Sequence, residues 1–432
     1  MACQDESPHP LRLASSLRDL RDRHRDRHRP SGFGFVFADR VDYLDPERWD
    51  TVTSCGTILL RREVLRVIEN HGPENIQSRY AMIFRDEKPV ATLSAQVVTV
   101  TGDRLHREDS VPRQGRSPRL LKRMLAPAAK VARANIRERI LVAGNLLSWG
   151  FHGIAFAPNE DPAPLWPGVA EALYRIRRAE RLTGQTNFVV VKDLTARQSG
   201  IDALCRFSYR PLETEPNMVL RIHPAWRSYE DYLAALDAKY RRNAKDQLKK
   251  LAAAGCMVEP LADFSSCASR LHELYLAVHG NASVRLVTLP ESYLPALARA
   301  AGENFRGTVV RRGDEILGFV TSLRDGDTAI AYYIGFDRAA ASASGLPVYL
   351  RLLHATIADA IAWRCQRLSL GRTALEPKAA LGARPEQMSV WIRHRVPVLN
   401  WLLRGLLGAV PHSEAPERSP FKSANDLDRR GK

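Results

Sequence analysis

The chain has 432 residues, enough for two domains with separate cores. Its 45% hydrophobic and 26% charged residues are those of a globular protein, not of a low-complexity or membrane-embedded one. A formal charge of +16 and a pI near 9.8 favour anionic partners: nucleic acid, an acidic membrane face or a phosphorylated small molecule.

Six cysteines, at 3, 55, 205, 256, 267 and 365, form no CxxC pair. This points to a reducing compartment and to no zinc site. Residues 1–30 end in RDRHRDRHR and have no apolar face, so a disordered basic tail is expected there. The N-terminus lacks the apolar run of a signal peptide, which implies a cytoplasmic protein.

YAMIFRDEKPVATLSAQVVT, from Tyr80 to Thr99, reads as strand, charged turn, strand. A basic, partly amphipathic insertion follows at about 103–139, broken by Pro127. Next come a helix pattern, VAEALYRIRRAERL, and a strand, TNFVVVKDL. A second helical region opens at Ser228, a capping residue, and ends near Gly255. Lys239 to Lys250 carries six cations and one acid. GTVVRRGDEILGFVTSL then repeats the strand, turn, strand pattern, and VYLRLLHATIADAIAWRC with QRLSLG repeats the helix and strand. One α/β unit occurs twice, so two mixed sheets flanked by helices are expected. The expected domains are 31–222 and 223–395, followed by an amphipathic helix at 396–410 and a disordered tail at 411–432. That helix is too short to span a bilayer, which takes about 20 apolar residues. Its apolar stripe suits a core or a peripheral membrane contact.

The chemistry-bearing stretch begins with TAIAYYIGF, Thr328 to Phe336, an alternating half-buried strand. Alternation puts one of Tyr332 and Tyr333 in the core and the other on the opposite face. After Asp337 and Arg338 the chain runs through small residues to Gly345-Leu346-Pro347, and a helix follows. A helix start exposes N–H groups and partial positive charge, and small side chains let a phosphate approach. Ala341, Ser342, Ser344, Gly345 and Leu346 therefore form a candidate phosphate cradle, with Arg338 as a mobile cation. A plain flexible connection is the other reading.

The order of strands, loop and helix resembles the GNAT acyltransferase superfamily. The tandem arrangement resembles its FemAB-like and CelD-like branch. Three stretches carry the likeness: YEDYLAALDAKYRRNAKDQLKKLAAAG, YYIGFDRAAASASGLPVYLRLLHATIADAIAWRC and LGRTALEPKAALGA. The usual loop is Arg/Gln-x-x-Gly-x-Gly/Ala; here Ala341 stands where the first Gly belongs.

The resemblance implies acetyl-CoA or another acyl-CoA as co-substrate, with aminoacyl-tRNA as the alternative donor. It implies an amine acceptor, either a small molecule or linked to a peptide or lipid. A backbone N–H near Ile334 or Gly335 would stabilise the developing oxyanion. Tyr332, Tyr333 and Glu376 are the candidate proton-transfer groups. Arg372 and Lys378 are the candidate substrate-binding groups.

The first copy carries SWGFHGIAFAPNEDPAPLWPG at the corresponding place. Glu160, Asp161 and four prolines there oppose phosphate binding, so this copy is expected to serve as scaffold or acceptor wall. His272 and His279 lack HExxH spacing, and no metal is expected. A non-catalytic RNA- or membrane-binding protein on the same scaffold remains the second function class.

Overall fold

The computed structural model describes residues 29–101, 137–196, 198–280, 285–338, 345–400 and 418–422, with Arg25 and Ala341. Nearly all of the expected N-terminal tail and of the 103–139 insertion, with 411–417 and 423–432 of the expected C-terminal tail, lie outside these residues. So do Ser342, Ser344 and all but the first turn of the 396–410 helix. Residues 418–422 of the C-terminal tail, expected to be disordered, are instead held by backbone hydrogen bonds to Ala235 and Asp237 and by packing of Phe421 on Trp226.

The first unit runs β1 (Gly34–Ala38), α1 (Pro46–Thr53), α2 (Arg62–His71), β2 (Ile76–Arg85), β3 (Lys88–Thr101), β4 (Arg137–Ala143), β5 (Ile154–Phe156), α3 (Trp166–Ala179), β6 (Thr186–Leu194), α4 (Ala203–Arg206), β7 (Arg210–Glu213) and β8 (Asn217–Arg221). Helices α5 (Tyr229–Ala235) and α6 (Ala238–Ala253) link it to the second unit. That unit runs β9 (Cys256–Leu261), α7 (Ala268–His279), α8 (Tyr293–Ala301), β10 (Phe305–Arg312), β11 (Glu315–Asp325), β12 (Thr328–Phe336), α9 (Val348–Ala362), β13 (Arg367–Ser369), α10 (Leu375–Ala380), β14 (Arg384–Glu386) and β15 (Ser389–His394).

The two sheets have the same plan. One is ordered β1-β2-β3-β4-β6-β15-β7, with β5 also on β3; the other is β9-β10-β11-β12-β13-β8-β14. Each unit therefore gives its last strand to the other's sheet. β8 lies between β13 and β14, while β15 lies between β6 and β7. The duplication read from the sequence is present, and the exchange ties the copies together.

Both expected hairpins close through charged two-residue turns. Asp86 and Glu87 both adopt positive φ between β2 and β3, as a tight hairpin turn demands. Gly313 supplies the positive φ between β10 and β11. Helix α5 begins with a full capping box: the Ser228 hydroxyl accepts from the Asp231 N–H, and the Asp231 carboxylate accepts from the Ser228 N–H.

One hydrophobic core crosses the boundary between the units. Trp49, Leu60 and Leu65 of the first unit join Leu271, Tyr293, Leu297 and Tyr332 of the second. Helix α2 packs on α8 there. Helix α3 covers the other face of the first sheet through Trp166, Val169 and Leu173. Helix α9 covers that of the second sheet through Leu353, Ile357 and Ile361. Among the described residues, no helix is long and apolar enough to cross a membrane.

Candidate active site

Strands β12 and β13 are parallel, but they pair only over Thr328–Ile330 and Arg367–Ser369. From Ala331 onward β12 keeps β11 on one side and parts from β13 on the other. The equivalent strands of the first unit stay together, because β4 and β6 pair from Arg139 to Ala143. Only the second sheet opens at this point. An open edge presents main-chain N–H and C=O groups that a ligand can pair with.

A β-bulge marks where the strands part. Val320 pairs with Ile334 and Ser322 with Ala331, so Tyr332 and Tyr333 together oppose the single residue Thr321. The Tyr333 N–H donates to Thr321 Oγ1 at 2.9 Å. The expected alternation fails here: both tyrosines pack into the shared core, with ring centroids 4.7 Å apart. Tyr332 is 2% exposed, and its hydroxyl lies 2.7 Å from that of Tyr293. Burial holds both phenols well above their ordinary pKa, so neither serves as a base near neutrality.

The first unit closes one face of the opening. Tyr333 donates through its hydroxyl to the Leu147 carbonyl at 2.9 Å. Trp149 donates through its indole N–H to Ser369 Oγ at 2.8 Å. The segment after β4 thus bridges β12 and β13 where they separate. It is the counterpart of the candidate phosphate loop, turned into the interface.

Gly335 lies in this strand for a packing reason. A Cβ there would sit 2.4 Å from the Phe319 ring and 2.6 Å from the backbone of Leu274 and Tyr275. Helix α7 crosses β12 at that point. Ile334 is half-buried beside it and contributes to two core clusters. The loop itself is partly self-satisfied. The N–H groups of Ala341, Leu346 and Val348 donate to the carbonyls of Asp337, Ala341 and Leu346 at 2.9, 3.0 and 2.9 Å. The amides of Ala341 and Leu346 are therefore not the free donors the sequence suggested. Gly345, at φ +62° and exposed, and the exposed Arg338 remain open to solvent.

Arg372 is not free to meet substrate. It pairs with the buried Asp193 of the first unit, which also pairs with Lys192 and accepts from the Gly150 N–H at 2.9 Å. Burial alone would raise the Asp193 carboxyl, but Lys192 and Arg372 hold it below its ordinary range. A salt bridge with Arg418 engages Glu376 on an exposed rim. That rim belongs to a cleft of about 330 Å³ bounded by α5, α6, α9 and α10.

Lys378 differs from the other candidates. It is 3% exposed on α10, and no carboxylate among the described residues pairs with it. Burial alone pushes its ammonium down to about 7. The sequence marked this residue as an anion-binding cation; burial instead favours its uncharged form. Nothing in its immediate sequence signals that burial. Among the described residues no cluster of His, Cys, Asp and Glu could hold a metal.

Residues 238–379 match the family model of the acetyltransferase (GNAT) domain. No curated protein matches the sequence. Among solved structures, FemX is 11% identical and aligns with a TM-score of 0.51, covering 84% of this chain and 98% of that one. A tandem GNAT protein from the clavulanic acid biosynthesis pathway is also 11% identical, with TM-score 0.46, covering 84% and 99% of the two chains. The C-terminal domain of a putative lysylphosphatidylglycerol synthetase from Agrobacterium fabrum is 11% identical, with TM-score 0.44, covering 83% and 93%. At such identity the FemX likeness speaks to fold alone. Residues 238–379 thus carry the likeness to the acetyltransferase (GNAT) domain, set in a tandem fold shared with FemX.

Proposed function

We propose that the chain is an acyltransferase that moves an acyl group from an activated donor, acyl-CoA, to an amine, with its chemistry in the second unit. The one-sided parting of β12 and β13 carries this reading. It gives the second sheet an open main-chain edge that the first sheet lacks. The acyl carbonyl lies along the edge of β12, and a main-chain N–H near Ile334 or Gly335 stabilises the oxyanion. The first unit acts as the acceptor wall through the Leu147–Trp149 segment. Arg338 and the open part of the loop before α9 hold the donor's phosphates.

Lys378 is the proton acceptor. Burial favours its free amine over the ammonium, so it can take a proton as an acceptor amine attacks. The amine's lone pair forms the new C–N bond, and its proton goes to Lys378 Nζ. The C–S bond to the donor breaks, and its electron pair leaves on the thiolate. Holding both partners in one opening supplies much of the acceleration.

A second donor class has a specific observation behind it. Helix α6 exposes Lys239, Arg242, Lys245, Lys249 and Lys250, a basic surface suited to the phosphates of an aminoacyl-tRNA. In that case the bond broken is the ester C–O bond.

The test is product detection by mass spectrometry, with an amine panel incubated against acyl-CoA thioesters and against aminoacyl-tRNA. The expected result is a new amide from one donor class, with a rate that rises through an inflection near pH 7. Lys378→Met should lower kcat about 100-fold or more with little change in KM. No amide from either donor, or full activity in Lys378→Met, refutes the corresponding part of the reading.

A further inference from the structure

The five residues 418–422 pack against α5 and the turn between α10 and β14. Lys422 donates from its backbone N–H to the Ala235 carbonyl at 3.1 Å and from Nζ to the Ala234 carbonyl at 2.6 Å. The Asp237 N–H donates to the Pro420 carbonyl at 2.9 Å. The Phe421 ring lies over Gly382, whose φ is +93°, and a Cβ at Gly382 would sit 2.2 Å from it. Trp226 packs against the same ring, with centroids 5.6 Å apart. This strap is firmly seated, and it sets Arg418 at the mouth of the 330 Å³ cleft.

The cleft has the make-up of a binding site rather than of a packing fault. Its volume is at the lower end of the range for small-ligand pockets, about 300–1,000 Å³. Lys239 and Arg418 stand on its walls, and Glu376 is already neutralised by Arg418. Leu236, Leu350 and Leu381 supply apolar surface. Gln247 lines it too, 6% exposed, and its Oε1 is buried without a hydrogen-bond partner among the described residues. Its amide nitrogen donates to Asn243 Oδ1 at 3.3 Å, which leaves that oxygen as the unmet group. Buried side-chain oxygens are nearly always satisfied, so one beside a cleft asks for a donor from outside.

We propose that this cleft binds a small organic anion carrying an N–H and an apolar stem, in the manner of an N-acylated amino acid, and that the C-terminal strap is one of its walls. Arg418 turns from Glu376 to the carboxylate, with Lys239 beside it. Gln247 Oε1 accepts from the N–H, and the leucines take the apolar stem. No residue of β12 or β13 lines this cleft, and the inference depends neither on Lys378 nor on turnover.

The test uses the full-length protein, N-acetyl-leucine as probe, and calorimetry with tryptophan emission as a second readout, because Trp226 senses the strap. N-acetyl-leucine should bind saturably. N-acetyl-leucinamide, which lacks the carboxylate, and Arg418→Ala should each weaken binding about tenfold, the loss of one charge-assisted hydrogen bond. Gln247→Leu should weaken it about fivefold. Glu376→Gln should tighten it about threefold by releasing Arg418. Arg418 is exposed, so its replacement leaves the fold intact and the comparison readable. Failure of N-acetyl-leucine to bind, equal binding by inorganic phosphate, or binding unchanged in both Arg418→Ala and Gln247→Leu overturns the proposal. Each of these results leaves the acyl-transfer reading untouched.

Discussion

Replacing Lys378 with Met should stabilise the protein while removing its activity. A Met of similar length fills the same buried space without an ammonium to desolvate. The ammonium falls from its ordinary 10.5 to about 7 because burial opposes the charged form, an interval worth about 5 kcal/mol. Below pH 7 both the folded and the unfolded chain carry the proton, and the folded state bears that whole cost. Between pH 7 and 10.5 the unfolded chain keeps the proton while the folded one sheds it. The stability of the wild type therefore rises with pH by about 1.4 kcal/mol per pH unit relative to the variant. Urea unfolding at pH 6, 7, 8 and 9, followed by tryptophan emission, measures the difference. The variant should lead by about 5 kcal/mol at pH 6, and the gap should narrow above pH 7. A gap independent of pH, or a variant less stable at pH 6, would show that Lys378 has a partner or water in the folded state. The proton-acceptor role would then lose its physical basis.

Three further changes probe the frame around the site. Asp193→Asn strips the buried partner from Lys192 and Arg372 and should cost about 3–5 kcal/mol, read as a fall in Tm; an unchanged Tm would mean that this cluster does not hold the units together. Gly335→Ala places a methyl against the backbone of α7 and should cost about 1–3 kcal/mol in denaturant unfolding, and a neutral result would place α7 farther from β12. Tyr332→Phe strands the Tyr293 hydroxyl in the core and should cost about 1–3 kcal/mol with acyl transfer retained. Lost activity at unchanged stability would restore Tyr332 as a catalytic group.

Much of this architecture is legible in residue order because its causes are local. Alternating apolar residues define β12, charged two-residue turns close the hairpins, and Ser228 with Asp231 starts α5. Each depends on neighbours a few positions away, so the repeated unit and its mixed sheets could be read from sequence. The functional assignments needed more. Tyr332 and Tyr333 share one face because Thr321, on another strand, is one residue short of matching them. Arg372 is spent on Asp193, and Glu376 on Arg418, across long sequence separations.

What residue order determined by itself was the periodicity, the turns, the duplication and the basic charge. Tertiary structure alone decided that β8 and β15 change places, that only β12 and β13 part, and that Lys378 lies away from water. The physical reason is that strand pairing and desolvation are set by whatever surrounds a residue in space. A lysine's charge belongs to its side chain, but its proton affinity belongs to the packing around it.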